Sequence, residues 1–244
     1  MRLHDQIADW LAEKLALAGA KGFVLGLSGG VDSATAAALA LRAVGPASVL
    51  GALLPCHSEP IDGRLGQQVA DAFGIPTVTV PLDGAFDALI ENLPPTQHRL
   101  AAANIKPRLR MTALYYLAQT NSYLVLGAGN KTELLVGYFT KHGDSGADLL
   151  PLADLYKTEV WELARDLGVP AEVVTRPPSA GLWPGQTDED ELGITYRELD
   201  RILQAIEVGE TDDIPGPKLE RVEEMMVSSA HKRAMPPIFK RPSG

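Results

Sequence analysis

The sequence predicts an α/β protein: a doubly wound, mostly parallel sheet with helices on both faces. Two observations predict it. Short apolar runs bounded by glycine, serine or proline alternate with longer stretches whose apolar residues recur every three or four positions, and such strand–helix alternation favours a parallel sheet. The first short run also leads through paired glycines, Ser28-Gly29-Gly30, straight into a helical stretch, at the strand end where sheets of this kind gather ligands.

Each element has its own signal. Leu3, Ile7, Trp10, Leu11 and Leu15 share one face of an amphipathic opening helix. Phe23 to Leu27 reads as a buried strand between Gly22 and Ser28-Gly29-Gly30, and Ala34 to Val44, rich in alanine and leucine, as a helix. Val49 to Leu54 is a second strand. A helix from Pro60 to Phe73 follows, with Pro60 suited to its first position and Ser58 as a possible cap. Thr77 to Val80 and Tyr123 to Leu126 read as further strands, with a helix from Pro107 to about Thr120 between them. Val160, Leu163, Ala164 and Leu167 mark a helix closed by Gly168 and Pro170. Arg176 to Asp190, with three prolines, two glycines and an acidic run, reads as a long mobile loop. Thr195-Tyr196-Arg197-Glu198 has capping-box spacing before a helix from Leu199 to Ile206. A hinge from Gly209 to Pro217 precedes a last helix and a basic tail over 231–244. No internal repeat or low-complexity segment interrupts the chain, which reads as one domain over 1–244.

Composition narrows the function. Of 244 residues, 45% are hydrophobic and 22% charged, ordinary globular values that exclude disordered and fibrous classes. Lys+Arg 22 against Asp+Glu 31 leaves a net charge of −9, whose field repels nucleic acid and anionic lipid. Neither is an expected partner. The single cysteine, Cys56, cannot form an internal disulfide, a redox pair or a thiolate zinc cage, which suits a reducing, cytoplasmic setting. Ala34 to Leu41, the longest largely apolar stretch, stops at Arg42, well short of the roughly 20 residues that span a bilayer. The charged opening residues Met1-Arg2-Leu3-His4-Asp5 lack a signal-peptide core.

The most informative octet is Gly26-Leu27-Ser28-Gly29-Gly30-Val31-Asp32-Ser33. Adjacent glycines allow a tight turn of converging backbone N–H groups, and the helix start adds its positive dipole end; together they form an anion site. Ser28 and Ser33 add hydroxyls, while Asp32 suits a phosphate site only if a divalent cation bridges them. Three other readings can be weighed on the letters. A Walker A loop needs Gly-Lys-Ser/Thr, and no lysine lies between Lys21 and Lys106. Gly-x-Gly-x-x-Gly has no match here. A nucleophile elbow, Gly-x-Ser-x-Gly, does match, with His231 downstream, but an elbow follows several strands and only one precedes Ser28.

The octet resembles the PP-loop of ATP pyrophosphatases, Ser-Gly-Gly-x-Asp-Ser, which release pyrophosphate on adenylylating a substrate. A second segment narrows the resemblance: Gly127-Ala128-Gly129-Asn130-Lys131-Thr132-Glu133, then Gly137 to Asp144, Asp148-Leu149-Leu150-Pro151-Leu152 and Lys157-Thr158-Glu159-Val160. With these the chain resembles the NAD⁺ synthetase family along nearly its whole length, to His231-Lys232-Arg233. The resemblance implies an adenine-nucleotide alpha-hydrolase-like fold. It also implies ATP-dependent amidation of nicotinic acid adenine dinucleotide (deamido-NAD⁺) by ammonia, through an acyl-adenylate, giving NAD⁺, AMP and pyrophosphate.

It further implies roles. Gly26, Leu27, Ser28, Gly29, Gly30, Val31, Asp32 and Ser33 would cradle ATP, with Ala128, Lys157 and Ser179; Asp32 and Glu133 would share Mg²⁺; Arg108, Lys141, Asp148, His231 and Lys232 would bind the dinucleotide. Arg108 and Arg110 lie about 200° apart around a helix, and only Arg108 matches the family's ligand. Phe139 or Tyr138 could stack on the pyridine ring. Asp144 is the candidate base for ammonium, beside Asp32 and Lys157 as catalytic residues. Ala128 departs from the threonine common in the family and loses a side-chain hydrogen bond. Family members that use glutamine carry an extra amidase domain, so ammonia is the expected nitrogen donor here; the resemblance also implies a homodimer. The alternatives are another PP-loop adenylylating enzyme, such as a GMP synthetase ATPase half, and a non-catalytic nucleotide sensor, against which the paired acids Asp32 and Glu133 argue.

Overall fold

A computed structural model of the chain describes residues 1–183 and 185–241; position 184 of the long loop and positions 242–244 of the basic tail lie outside the described residues. Helix α1 (Leu3–Ala18) buries Ala8, Leu11 and Leu15 and leads through Gly22 into β1 (Phe23–Gly26). Then follow α2 (Val31–Val44), β2 (Val49–Leu53), α3 (Pro60–Phe73) and β3 (Thr77–Thr79). Helices α4 (Asp83–Glu91), α5 (Arg99–Ala103) and α6 (Ile105–Asn121) separate β3 from β4 (Leu124–Val125). Beyond the sheet come α7 (Lys131–Val136), α8 (Lys157–Asp166), α9 (Ala171–Thr175), α10 (Asp188–Leu192), α11 (Tyr196–Val208), α12 (Gly216–Ser228) and α13 (Ala230–Arg233).

All strand pairings are parallel, in the order β3-β2-β1-β4. The chain steps outward from β1 to β3 and then returns to the other side of β1. This reversal puts a crevice beyond the carboxyl ends of β1 and β4, where ligands of doubly wound sheets sit. A bridge from Leu126 to Leu149 extends that edge.

The predicted doubly wound α/β architecture is observed, with shifted boundaries. Helix α2 begins at Val31 rather than Ala34, so Asp32 belongs to its first turn. Helix α6 begins at Ile105, and Pro107 lies within the first turn instead of opening it, where its missing N–H has no intrahelical partner to lose. Ser58 does not cap α3; Glu59 is the cap residue, and the Ser58 hydroxyl instead accepts from Cys56 N–H at 3.2 Å and Arg110 at 3.0 Å. Thr195 does cap α11, accepting from Glu198 N–H at 3.3 Å.

One apolar cluster lies between the sheet and α1, α2, α3, α8 and α9, with Phe23, Leu25, Leu39, Leu65 and Leu152 at its centre. A second joins α11 and α12 to Val136 and Tyr156, around Tyr196, Leu199 and Val222. The crevice lies against both.

Candidate functional site

The loop after β1 is shaped by its own hydroxyls. Ser33 Oγ donates to Gly30 O at 2.9 Å and lies 3.1 Å from Ser28 Oγ, while Gly30 N–H donates to Ser28 Oγ at 3.3 Å. Gly29 adopts φ 77, and a Cβ there would stand 2.7 Å from Asp62 O and 2.9 Å from Leu65 Cβ. Only glycine lets α3 pack this close over the turn. Gly30 starts α2 without a capping side chain, so the first-turn amides face the crevice as an anion site.

Three elements distant in sequence converge below that loop. Asp32, in the first turn of α2, accepts from Lys157 Nζ at 2.5 Å and from Asn130 Nδ2 at 2.9 Å. Asn130 Oδ1 in turn accepts from Glu133 N–H at 3.0 Å, capping α7 and fixing Glu133, whose Oε1 lies 3.2 Å from Lys157 Nζ. Lys157 is the first residue of α8, is 1% exposed, and holds its ammonium 4.9 Å from the centroid of the Tyr196 ring. Asp188 adds a further buried carboxylate, accepting from Tyr196 and Tyr138 hydroxyls, each at 3.0 Å.

The charge balance of this cluster is uneven. Burial works against the Lys157 ammonium, but Asp32 and then Glu133 outweigh it and hold its pKa above the usual lysine range. Burial, assisted by Asp32 and Asp188, raises Glu133 despite the nearby ammonium, and burial also raises Asp188. One lysine thus faces three acids, an arrangement that favours a further cation. Hard carboxylate oxygens suit Mg²⁺, which takes one or two carboxylates and completes its shell with phosphate and water. Among the described residues no group of three acid, histidine or cysteine side chains forms a ready metal cage.

The cluster forms the floor of a cleft of about 870 Å³. Gly26, Leu27, Ser28, Gly30, Val31, Ser33, Ala128, Phe139, Asp144, Ser179 and Lys232 line it with Asp32, Glu133 and Lys157. The segment from 176 onward closes one side, tied by Arg176 to Asp62 at 2.6 Å and by Lys106 Nζ to Leu182 O at 2.8 Å, with Arg99 stacked 4.0 Å over Trp183. Within it α10 forms where the sequence predicts irregular chain, because Thr187 accepts from Asp190 N–H and caps a turn.

A family model for NAD synthase matches residues 3–236. The chain belongs to the NAD synthase family. It is 46% identical over 238 residues to the NH(3)-dependent NAD(+) synthetase of Carboxydothermus hydrogenoformans, covering 96% of this chain and 95% of that relative. Its fold is similar to the NMN synthetase of Francisella tularensis, with TM-score 0.89 and 37% identity, covering 97% of this chain and 98% of that one. It is also similar to the NH3-dependent NAD synthetase of Campylobacter jejuni in complex with the nitrate ion, with TM-score 0.85 and 27% identity over 98% of each chain.

Within this family frame the predicted residues divide. The octet, Ala128, Glu133, Phe139, Asp144, Lys157, Ser179 and Lys232 meet at the cleft, Gly29 by packing beneath its rim. Arg108, Lys141, Asp148 and His231 do not line it. Arg108 is exposed, reaching Lys141 O at 3.2 Å and Asn104 O at 3.4 Å; Lys141 Nζ donates to His231 O at 2.6 Å. Asp148 accepts from Val125 N–H at 2.7 Å and from the Tyr115 hydroxyl at 3.2 Å. Lys232 Nζ donates to Gly137 O at 2.7 Å and Phe139 O at 3.0 Å, and burial lowers its pKa. Water reaches Asp144 through the cleft mouth, yet the enclosing walls raise its pKa even though Thr140 N–H donates to it at 2.8 Å. The Tyr138 hydroxyl lies 2.6 Å from Glu191 Oε2 as well as near Asp188, so its ring is fixed to α10.

Sequence reasoning missed Arg110, Asn130, Asp188 and Tyr196. Arg110 had a legible signal: Pro107, Arg110, Met111 and Leu114, spaced by three, one and three, form one face of α6, and that face lines the cleft. The guanidinium holds Leu54 O at 3.1 Å and Ser58 Oγ at 3.0 Å.

Proposed function

We propose that this chain amidates deamido-NAD⁺ with ammonia at the Asp32–Glu133–Lys157 cluster, consuming ATP and releasing AMP and pyrophosphate. The observation that carries this reading is the ion cluster under the glycine loop, in a chain that is similar to NH(3)-dependent NAD(+) synthetases along nearly its full length. Main-chain amides of the loop and the first turn of α2 bind the β- and γ-phosphates, and Lys157 exchanges its carboxylate partners for phosphate oxygens. Asp32 and Glu133 would hold Mg²⁺, which when bound neutralises charge on the departing pyrophosphate.

The chemistry follows from what each group can do. The nicotinate carboxylate attacks the α-phosphorus and displaces pyrophosphate; ammonia then adds to the acyl carbon, and AMP leaves with its bonding pair. Asp144, with its raised pKa, accepts the proton that the new amide sheds. Holding ATP and carboxylate together supplies up to about 7–11 kcal/mol of orientation advantage. Ser179 and the backbone of Ala128 contact the nucleotide, and the segment 176–190 opens to admit it.

Arg108, Lys141, Asp148 and His231 bind the dinucleotide at an interface with a second copy of the chain. Their position supports this: Arg108, Lys141 and His231 are joined on an outer face, and Asp148 is tied to Tyr115 on the same helix as Arg108. The chain works as one unit and as a homodimer; an active species that sediments strictly as a monomer would contradict it. No described helix is long and apolar enough to cross a membrane; a cytoplasmic setting is the reading that the proposed substrates support.

The test incubates the purified chain with ATP, Mg²⁺, ammonium and deamido-NAD⁺ and follows AMP and NAD⁺. Equal amounts of both are expected. A parallel arm offers nicotinic acid mononucleotide, because a structural neighbour is named NMN synthetase; faster turnover there would replace the dinucleotide as substrate. AMP without either amide would point to another adenylylating enzyme.

A further inference from the structure

Helix α11 turns Tyr196, Leu199, Asp200, Ile202 and Leu203 inward. Four of them pack into the second apolar cluster, but Asp200 is a carboxylate at 2% exposure. A buried charge persists at a cost unless it is closely hydrogen-bonded. Here the donors are specific: Thr132 Oγ1–H at 2.5 Å and Thr158 N–H at 2.8 Å. Thr132 Oγ1 also accepts from Lys157 N–H at 2.9 Å.

These donors flank the cleft's charged groups. Thr132 immediately precedes Glu133, and Thr158 immediately follows Lys157. A leucine would satisfy the packing demand of the cluster, whereas a carboxylate takes the Thr158 amide in the first turn of α8 directly and orients the Thr132 hydroxyl that takes the Lys157 amide, fixing α8 to α7. Asp200 thereby holds Lys157 and Glu133 in register without touching the cleft, whose lining does not include it.

We propose that Asp200 is a positioning residue for Lys157: it acts on nucleotide binding and adenylylation through the first turn of α8. The inference rests on the proposed role of Lys157 as a phosphate ligand. Replacing such supporting groups typically reduces affinity or turnover roughly 10- to 100-fold.

A double-mutant cycle tests it, read by calorimetric ATP affinity and by turnover. Asp200→Asn keeps the volume but turns an N–H toward one of its two donors. It is expected to weaken ATP binding about 10-fold or more and lower kcat within the 10- to 100-fold range, with KM for the dinucleotide unchanged. In a Lys157→Ala background the same substitution should change ATP affinity less than about twofold, because the coupled partner is gone. Equal losses in both backgrounds would overturn the proposal, as would equal effects on ATP and dinucleotide. If Asp200→Asn does not fold, Thr132→Val, which removes the bridging hydroxyl, is read in the same cycle with the same expectation. Wild-type protein that binds ATP but forms no amide would remove the amidation reading and leave this test intact; wild-type protein that binds no ATP would remove both.

Discussion

The floor of the cleft and its rim carry similar residues under different constraints. On the floor, side chains hold one another: Lys157 bridges Asp32 and Glu133, and Asn130 joins both acids. At the rim and on the outer face beside it, the cations hold main-chain carbonyls instead: Lys232, which lines the cleft, reaches Gly137 O and Phe139 O, while Arg108 and Lys141, outside it, reach Lys141 O and His231 O respectively. A carbonyl accepts a hydrogen bond without neutralising the cation, so these side chains keep their positive charge, which suits the anionic substrate of the proposed reaction. The floor carries more acid than cation, but its lysine is already held between two carboxylates, so it is preorganised for one geometry. Substitutions on the floor should therefore affect the chemical step, and those at the rim mainly affinity.

Lys157→Ala breaks the floor and has the largest expected effect. Loss of a preorganised cation at developing charge lowers kcat roughly 100- to 1,000-fold. It also leaves Asp32, Glu133 and Asp188 facing one another, and removing one partner of a buried pair destabilises by on the order of 3–5 kcal/mol. Protonation relieves part of this. Burial already pushes the Glu133 carboxyl up to about 8 with the ammonium present, and an acid whose folded pKa exceeds its unfolded value favours the folded state at low pH. The melting temperature of the variant should fall most at alkaline pH and recover toward pH 5. A deficit independent of pH would separate the acids from the lysine's structural role.

Asn130→Ala tests how the floor is joined. It removes the α7 cap, worth about 1 kcal/mol, and the bond that aligns Asp32 with Glu133. We expect a roughly 10- to 100-fold drop in kcat, with a rightward shift in the Mg²⁺ dependence of turnover. A lower melting temperature with unchanged kcat would make Asn130 a cap alone. Lys232→Ala is the rim counterpart. It should raise KM for the dinucleotide about 10-fold, the scale of one half-buried charge-assisted contact, and leave kcat within about twofold. A fall in kcat instead would move Lys232 to the chemical step.

The same division governs what the sequence made legible. The sheet, the glycine loop and the helices α2, α3 and α11 follow local rules of periodicity, glycine turns and caps, which can be read within a dozen residues. Asp32, Glu133 and Lys157 were assigned by resemblance, since nothing in 125 positions of separation announces that Lys157 meets Asp32. Periodicity alone reads Lys157 as a solvated lysine, yet it is 1% exposed. Asp188 and Tyr196 escaped because their pairing depends on how α10 folds back onto α11, a tertiary event inside what composition marks as loop. Asp200 had a local sign, an acid on the apolar arc between Leu199 and Leu203. Arg108 shows the opposite limit: resemblance assigned it, yet it lies on the exposed side of α6, while the spacing of Pro107, Arg110, Met111 and Leu114 already marked the face that lines the cleft.

The smallest expected effect concerns a position where the floor lacks a side chain. Ala128 lines the cleft at the carboxyl end of β4 and packs against the main core, where the family resemblance leads one to expect threonine. Ala128→Thr adds a hydroxyl that can donate to the nucleotide, worth about 1 kcal/mol net, or roughly a fivefold lower KM for ATP. The direction is informative because the methyl and hydroxyl must fit beside a packed strand end. A lower KM with unchanged kcat would show ground-state nucleotide binding added to a floor otherwise intact. An unchanged KM would mean the position contacts ATP only through its backbone, and a raised KM would mean that the cleft wall here is already filled to the alanine.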